Sequence, residues 1–584
     1  MTGLFRTKRL DDILAAAQST EHTLKRSLGP IHVTLLGIGG IIGAGIFATV
    51  GEAAAGVGGK AGAGPSLMLS FAFTALVCGF TALCYAEFAS MVPISGSAYT
   101  YSYATLGELV AWIIGWDLII EYAVGNVAVA ISWGNYFKTF LHGLHIDVPL
   151  WLAKDYRSAV QEGLVGQLPH VFGIPIAFNA LAFGIVAVIT VILVWGIRES
   201  ASFNAGMVIV KILVLAFFVI LAFYYVSPHK MVENWHPFQP TGWKGTFTGA
   251  AVIFFAYIGF DAVSTVAEET RNPKRDLPIG IIASLIICTV IYIVVAGVFS
   301  GMMPFAELQT RTKSDLAESL TMALDYVAPH QTWATTIVAF GSVVAHTAVL
   351  LVFQLGQPRI FFSMARDGLL PPAFARVHPR FRTPHVTTIL TGVLVGTVAG
   401  VTNIDEMVAL TNIGTLFAFV LVCIGIVILR FKDPDRPRPF RVPFGPVLLP
   451  VLGVASCLFL MFYLPPASWW RFIGWLVLGM SIYLAYGYNH SGVGQKAGRP
   501  GKLTPAMAAA ALGVFLAAAG LFTIPHDAGP MQLLDAAMKT ATPEHTRTLI
   551  GLAAILIGIV VASIGASRSL SAAGASVPPQ RRGR

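Results

Sequence analysis

Lys211 lies in the run Met207-Val208-Ile209-Val210-Lys211-Ile212-Leu213-Val214, where every neighbour is apolar. An amine in such a setting must find polar partners or give up its proton, so Lys211 is a candidate proton carrier. The plain alternative is a side chain that snorkels to an interface, since Lys211 stands about two turns from the start of its run. Asp117 and Glu121 are spaced i,i+4 in another apolar run and share one helix face. Glu121 is the deeper of the two. It suits a pocket or a proton-carrying role, and a structural hydrogen bond explains it equally well. His346 is the one histidine clearly embedded in an apolar run; it can hold a proton, line a pocket, or simply pack as a polar side chain. Glu87 follows Tyr85-Ala86 near the end of a run and reads as a structural residue at a pathway mouth.

The backbone is the second source of chemistry. Gly37-Ile38-Gly39-Gly40-Ile41-Ile42-Gly43-Ala44-Gly45-Ile46-Phe47 holds five glycines between Gly37 and Gly45. Each costs about 1 kcal/mol against alanine in a helix interior, so the segment invites unwinding. Gly39-x-x-x-Gly43 also fits a helix-packing surface, and both readings stand. A nucleotide-binding glycine loop would need a preceding strand, which is absent. Phe254-Phe255-Ala256-Tyr257-Ile258-Gly259-Phe260-Asp261 places a glycine and an acid in the middle of a second run. An isolated acid at a helix centre costs about 2.5–3.5 kcal/mol on insertion scales, and a break would offer it polar backbone. A half-helix starting at Gly43, Ala44 and Gly45 would aim N–H groups at mid-membrane, where a carboxylate fits. Carbonyls freed around Ile38, Phe255 and Ala256 would accept from an ammonium group. Ile41, Phe255 and Ile258 would wall in a small neutral side chain, and Glu121 or Asp261 would meet a cationic one.

These groups need helices long enough to bury them. The chain has 584 residues, 55% hydrophobic and only 11% charged. Soluble chains carry about 25% charged residues, so most of this surface faces something other than water. About fourteen runs are long and apolar enough to cross a bilayer, with the ninth, thirteenth and fourteenth the shortest. Lys and Arg concentrate on the segments that lie inside when the N-terminus is cytoplasmic, which predicts both termini inside and explains the +9 charge without nucleic acid. The division read from this is a cytoplasmic segment over 1–30, a ten-span core over 31–441, spans eleven and twelve over 442–490, spans thirteen and fourteen over 491–566, and a tail over 567–584. Met1 to Pro30 lacks the apolar core of a secretion signal. Cys78, Cys84, Cys288, Cys423 and Cys457 all sit in apolar runs without ligand spacing, so no disulfide, metal or other cofactor is expected. Paired catalytic acids and nucleophile elbows are missing too, which argues against an enzyme. Runs one and six, five apart, are the pair expected to break if spans one to five and six to ten are two halves of a transporter.

Five ordered motifs carry a family resemblance. They are Gly37–Phe47; Tyr85-Ala86-Glu87-Phe88 with Pro93-Ile94-Ser95-Gly96-Ser97-Ala98-Tyr99; Gly115-Trp116-Asp117-Leu118-Ile119-Ile120-Glu121-Tyr122; Phe254–Asp261 continuing to Glu268-Glu269-Thr270-Arg271-Asn272-Pro273; and Pro358-Arg359 with Met364-Ala365-Arg366-Asp367-Gly368-Leu369-Leu370-Pro371. The sequence from about Leu28 to Arg441 resembles the amino acid–polyamine–organocation superfamily, in its cationic amino acid transporter branch. The resemblance implies an all-α polytopic membrane protein with a LeuT-like core of two inverted five-helix repeats and alternating access. It implies an amino acid permease of a bacterial cytoplasmic membrane, with substrate held between the breaks of spans one and six. It also implies that Lys211 stands where sodium-coupled cousins hold a cation, so that a proton is the coupling ion. Ala44 departs from the small hydroxyl residue common at its position, which removes a side-chain contact to a substrate carboxylate. An exchanger or facilitator without net proton coupling, and a transporter-like nutrient sensor, are the alternatives.

Overall fold

With no water inside hydrocarbon, an apolar segment must satisfy its peptide groups internally, and a single segment does so as a helix. A computed structural model of the chain describes residues 6–8, 28–56, 60–92, 97–195, 201–312, 318–329, 331–381, 383–496, 505–523, 551 and 553–563. Every apolar run forms a helix there. The first seven are α1 (Pro30–Ala55), α2 (Gly64–Met91), α3 (Glu108–Gly143), α4 (Ala180–Trp195), α5 (Ala201–Tyr225), α6 (Gly242–Ser264) and α7 (Pro273–Met302). The rest are α8 (Thr332–Arg366), α9 (His385–Val401), α10 (Ile404–Lys432), α11 (Leu448–Phe462), α12 (Pro466–His490), α13 (Pro505–Thr523) and α14 (Ala553–Ser563). Among the described residues eight of these are long and apolar enough to span a membrane alone, and α11 and α12 meet at a 115° bend. The shorter ones are α4, α9, α13 and α14. The protein is therefore an all-α polytopic membrane protein, its only described strands being the two-residue pair His170–Val171 and Ile174–Pro175. Most of the predicted N-terminal segment, the motif residues Pro93–Gly96 and the C-terminal tail lie outside the described residues.

Small residues let the helices approach closely. A Cβ on Gly37 would come within 2.5 Å of the Ser284 hydroxyl, and one on Gly280 within 2.4 Å of Val33, so α1 and α7 cross almost backbone to backbone. The same device joins α13 to α14: a Cβ on Gly513 would lie 2.3 Å from the Ala562 nitrogen, and one on Gly558 2.4 Å from the Gly513 oxygen. On α5, Ile209, Leu213 and Ile220 turn outward with 55%, 61% and 64% exposure, whereas Lys211 is fully buried. Its ammonium thus points into the protein and does not snorkel.

Glu87 has the structural role expected of it. At the end of α2 its carboxylate accepts from Arg430 through two nitrogens, lies 3.4 Å from Arg438 Nε, and accepts the Val442 N–H at 2.8 Å. With the Ser90 hydroxyl accepting the Phe440 N–H at 3.3 Å, it straps the segment after α10 onto α2.

Candidate functional site

Both predicted breaks are present. The first half of α1 stops at Ile41; the Ile42 N–H still reaches the Ile38 carbonyl at 3.0 Å, but its ψ of 104° turns the chain out of the helix. The chain resumes as a π turn over Gly45–Thr49 and an α turn over Val50–Ala55. Among the described residues the N–H groups of Gly43 and Ala44 form no backbone hydrogen bond, as expected at a helix start. In α6 the helix tightens to a 3₁₀ turn over Phe254–Tyr257, opens at Ile258 with ψ 134°, and resumes as 3₁₀ over Asp261–Glu269. Gly259 carries φ +118°, a conformation that a side chain strongly disfavours.

The breaks lie against each other. A Cβ on Gly45 would meet the Ala256 Cα at 2.1 Å, and one on Gly259 the Gly40 oxygen at 2.6 Å. The glycines of α1 therefore both permit unwinding and provide close packing. The predicted residues Ile38, Ile41, Gly43, Ala44 and Gly45 in or beside the α1 break and Phe255, Ala256, Ile258 and Asp261 in or beside the α6 break are all buried, and the Cβ position of Gly43 faces Val349 of α8 at 2.6 Å. The Ile38 and Phe255 carbonyls each already accept one N–H, from Ile42 and from Ile258 at 3.4 Å. A carbonyl oxygen has a second lone pair, so both can still accept.

Three side chains hold the junction. Lys211 donates to the Gly39 oxygen at 2.5 Å and the Ile42 oxygen at 2.9 Å, one contact in the last turn of the first half-helix and one beyond it. The Tyr292 hydroxyl on α7 faces the Ile41 oxygen at 2.8 Å and the Ala256 oxygen at 3.0 Å, so one group touches both breaks. The Asn412 amide on α10 donates to the Ala251 and Val252 oxygens at 2.8 and 3.0 Å, capping the first half of α6. Tyr292 and Asn412 escaped sequence reading, although both are polar groups inside apolar runs.

His346 sits beside the second half of α1. Its Nδ1 faces the Ser342 carbonyl, which can only accept, at 2.6 Å, and Nε2 faces the Ser132 hydroxyl at 2.7 Å, so both ring nitrogens are engaged. The ring lies 5.8 Å from Phe47 and 5.6 Å from Tyr136, whose hydroxyl donates to the Phe47 carbonyl at 2.6 Å. Glu121 falls in a π turn of α3 (Ile120–Val124) and lies near Asp261, whose Oδ2 accepts from the Tyr122 hydroxyl at 3.3 Å. Among the described residues neither oxygen of Asp117, one turn earlier and buried, has a hydrogen-bond partner, and Gln357 and one oxygen each of Glu121 and Asp261 share that state.

Two interrupted helices meeting inside a polytopic bundle, gripped through their peptide groups, make a membrane transporter. The chain belongs to the amino acid permease family, which it matches over residues 28–483; it is a multi-pass transporter and not an enzyme. It is similar to the branched-chain amino acid permease of Bacillus subtilis (strain 168), 45% identical over 492 residues that cover 84% of this chain and 99% of the relative. The methylthioribose transporter of the same organism is 42% identical over 491 residues, covering 84% of this chain and 99% of that protein. Cationic amino acid transporter 4, vacuolar, of Arabidopsis thaliana is 34% identical over 437 residues, covering 74% of this chain and 68% of the relative.

Proposed function

We propose that this protein imports small neutral or cationic amino acids with protons, by alternating access between two inverted five-helix repeats, α1–α5 and α6–α10. Both termini lie in the cytoplasm on this reading. The substrate carboxylate meets the free N–H groups of Gly43 and Ala44, and its ammonium meets the second lone pairs of the Ile38 and Phe255 carbonyls. Ile41, Phe255 and Ile258 favour a small or branched apolar side chain, which agrees with the named substrate class of the bacterial permease above. A cationic side chain would reach the Glu121–Asp261 pair.

The observation that carries the coupling is the seat of Lys211. Its ammonium holds two main-chain oxygens at the end of the first half of α1, those of Gly39 and of its C-cap Ile42. Charge-assisted hydrogen bonds are roughly twice as strong as neutral ones, so loss of the proton loosens this grip and frees the first half of α1 to move. Protonation state and helix position are thereby linked, which is what symport requires. Purified full-length protein in proteoliposomes tests this with labelled branched-chain and cationic amino acids. Uptake is expected to rise with an inward proton gradient, and Lys211→Ala to abolish that dependence. Gradient-independent uptake that needs internal amino acid would replace this reading with exchange. Binding without flux would replace it with sensing, and normal coupling in Lys211→Ala would remove the lysine from the mechanism. A thermal-stability screen against the twenty amino acids identifies the substrate, since a ligand raises stability by mass action.

A further inference from the structure

The outer face of α7 carries a groove with no part in the site above. It has a volume of about 520 Å³ and is lined by Lys274, Arg275, Pro278, Ile279, Ile282, Ala283 and Ile286 of α7 with Pro439 and Phe440 of the strap after α10. Its wall is fixed, because the strap is tied to α2 through Ser90 and Glu87. One end is cationic and the rest apolar. Lys274 and Arg275 are exposed, and neither side chain has a hydrogen-bond or ion-pair partner among the described residues. The nearest acid on the helix, Asp276, is buried and turned back to the Asn272 N–H at 3.3 Å. Ile279 and Ile286 remain 40% and 58% exposed in a helix that crosses the membrane.

The dimensions fit one kind of occupant. From Lys274 to Ile286 a helix rises about 18 Å, close to the roughly 15 Å depth of one hydrocarbon leaflet plus its headgroup edge. Cations therefore stand at headgroup level and the apolar slot runs down to the bilayer centre. Basic pockets at the membrane surface between helices select anionic headgroups. We propose that this groove binds one anionic phospholipid, its phosphate on Lys274 and Arg275 and one acyl chain along Ile279, Ile282 and Ile286 beneath Phe440. The bound lipid would bridge α7 to the strap held on α2. Because α7 packs directly on the first half of α1 at Gly37 and Gly280, occupancy would steady the segment that must move during transport.

Native mass spectrometry of delipidated full-length protein tests this with phosphatidylglycerol and phosphatidylcholine of identical acyl chains. Wild type is expected to bind phosphatidylglycerol about 10- to 30-fold more tightly, and Lys274→Gln with Arg275→Gln to erase that preference. Arg271→Gln, an exposed basic change outside the groove, should leave it intact. Ile282→Trp, which fills the slot, should weaken both lipids, and glycerol 3-phosphate should not compete at equal concentration. Equal binding of the two lipids by wild type, which needs no variant to fold, would overturn the proposal. So would unchanged phosphatidylglycerol preference in the double variant. The readout is independent of transport, so its failure and that of proton coupling are separable.

Discussion

Tyr292→Phe removes a single oxygen and keeps the ring, whose neighbours Phe71 and Tyr257 lie at centroid distances of 5.4 and 5.5 Å. The oxygen touches both helix breaks, at Ile41 and Ala256. Without it two buried carbonyls lose a donor. An unsatisfied buried carbonyl costs about 1–3 kcal/mol, and one hydroxyl proton serves only one acceptor at a time, so the expected loss is about 1–3 kcal/mol for the pair and not twice that. If the bridge sets the spacing at which the breaks receive substrate, that energy appears in binding as a roughly 5- to 150-fold weaker Kd. Titration of the amino acid identified by the stability screen, followed by intrinsic fluorescence or calorimetry on full-length protein, reads Kd directly, and thermal unfolding without ligand reads stability. Weaker binding in a folded variant supports the argument. A variant with wild-type Kd refutes the link between this bridge and the site, whether or not its unfolding temperature falls.

Two further outcomes follow from the packing. Gly259→Ala would place a methyl 2.6 Å from the Gly40 oxygen at a φ of +118°, so uptake should be lost and unfolding eased by at least about 1–3 kcal/mol, whereas Gly79→Ala, with open space around it, should behave as wild type. Glu87→Gln leaves Arg430 and Arg438 facing a neutral amide, which should lower stability by about 3–5 kcal/mol in thermal unfolding; adding Arg430→Met should recover part of that loss, and strict additivity would contradict the strap.

The helix breaks of the candidate site were legible because their causes are local. A run of glycines raises the helix cost wherever it occurs, so the α1 break was visible at Gly37–Gly45, and Gly259 beside Asp261 marked the break in α6. Lys211 was legible as an anomaly of burial. Its partners were not, since the Gly39 and Ile42 oxygens belong to a distant helix and carry no side-chain signature. Tyr292 escaped because a tyrosine in an apolar run usually buries its ring for packing, and only the tertiary arrangement shows where the hydroxyl ends. Asn412 escaped for a related reason: its role is to cap carbonyls of a helix that sequence alone cannot bring beside it. The Glu121–Asp261 contact likewise depends on how α3 crosses α6, which helical periodicity leaves open.

Lys211 grips α1 through the peptide oxygens of Gly39 and Ile42, and those atoms are identical whatever residue carries them. On the proposed mechanism, side chains at Ile38, Ile41 and Ala44 can therefore drift to suit new cargo while the latch keeps its acceptors. Substrate preference and the fastening of the first half of α1 would then be inherited through different parts of the same residues, so that one could diversify without taking the other apart.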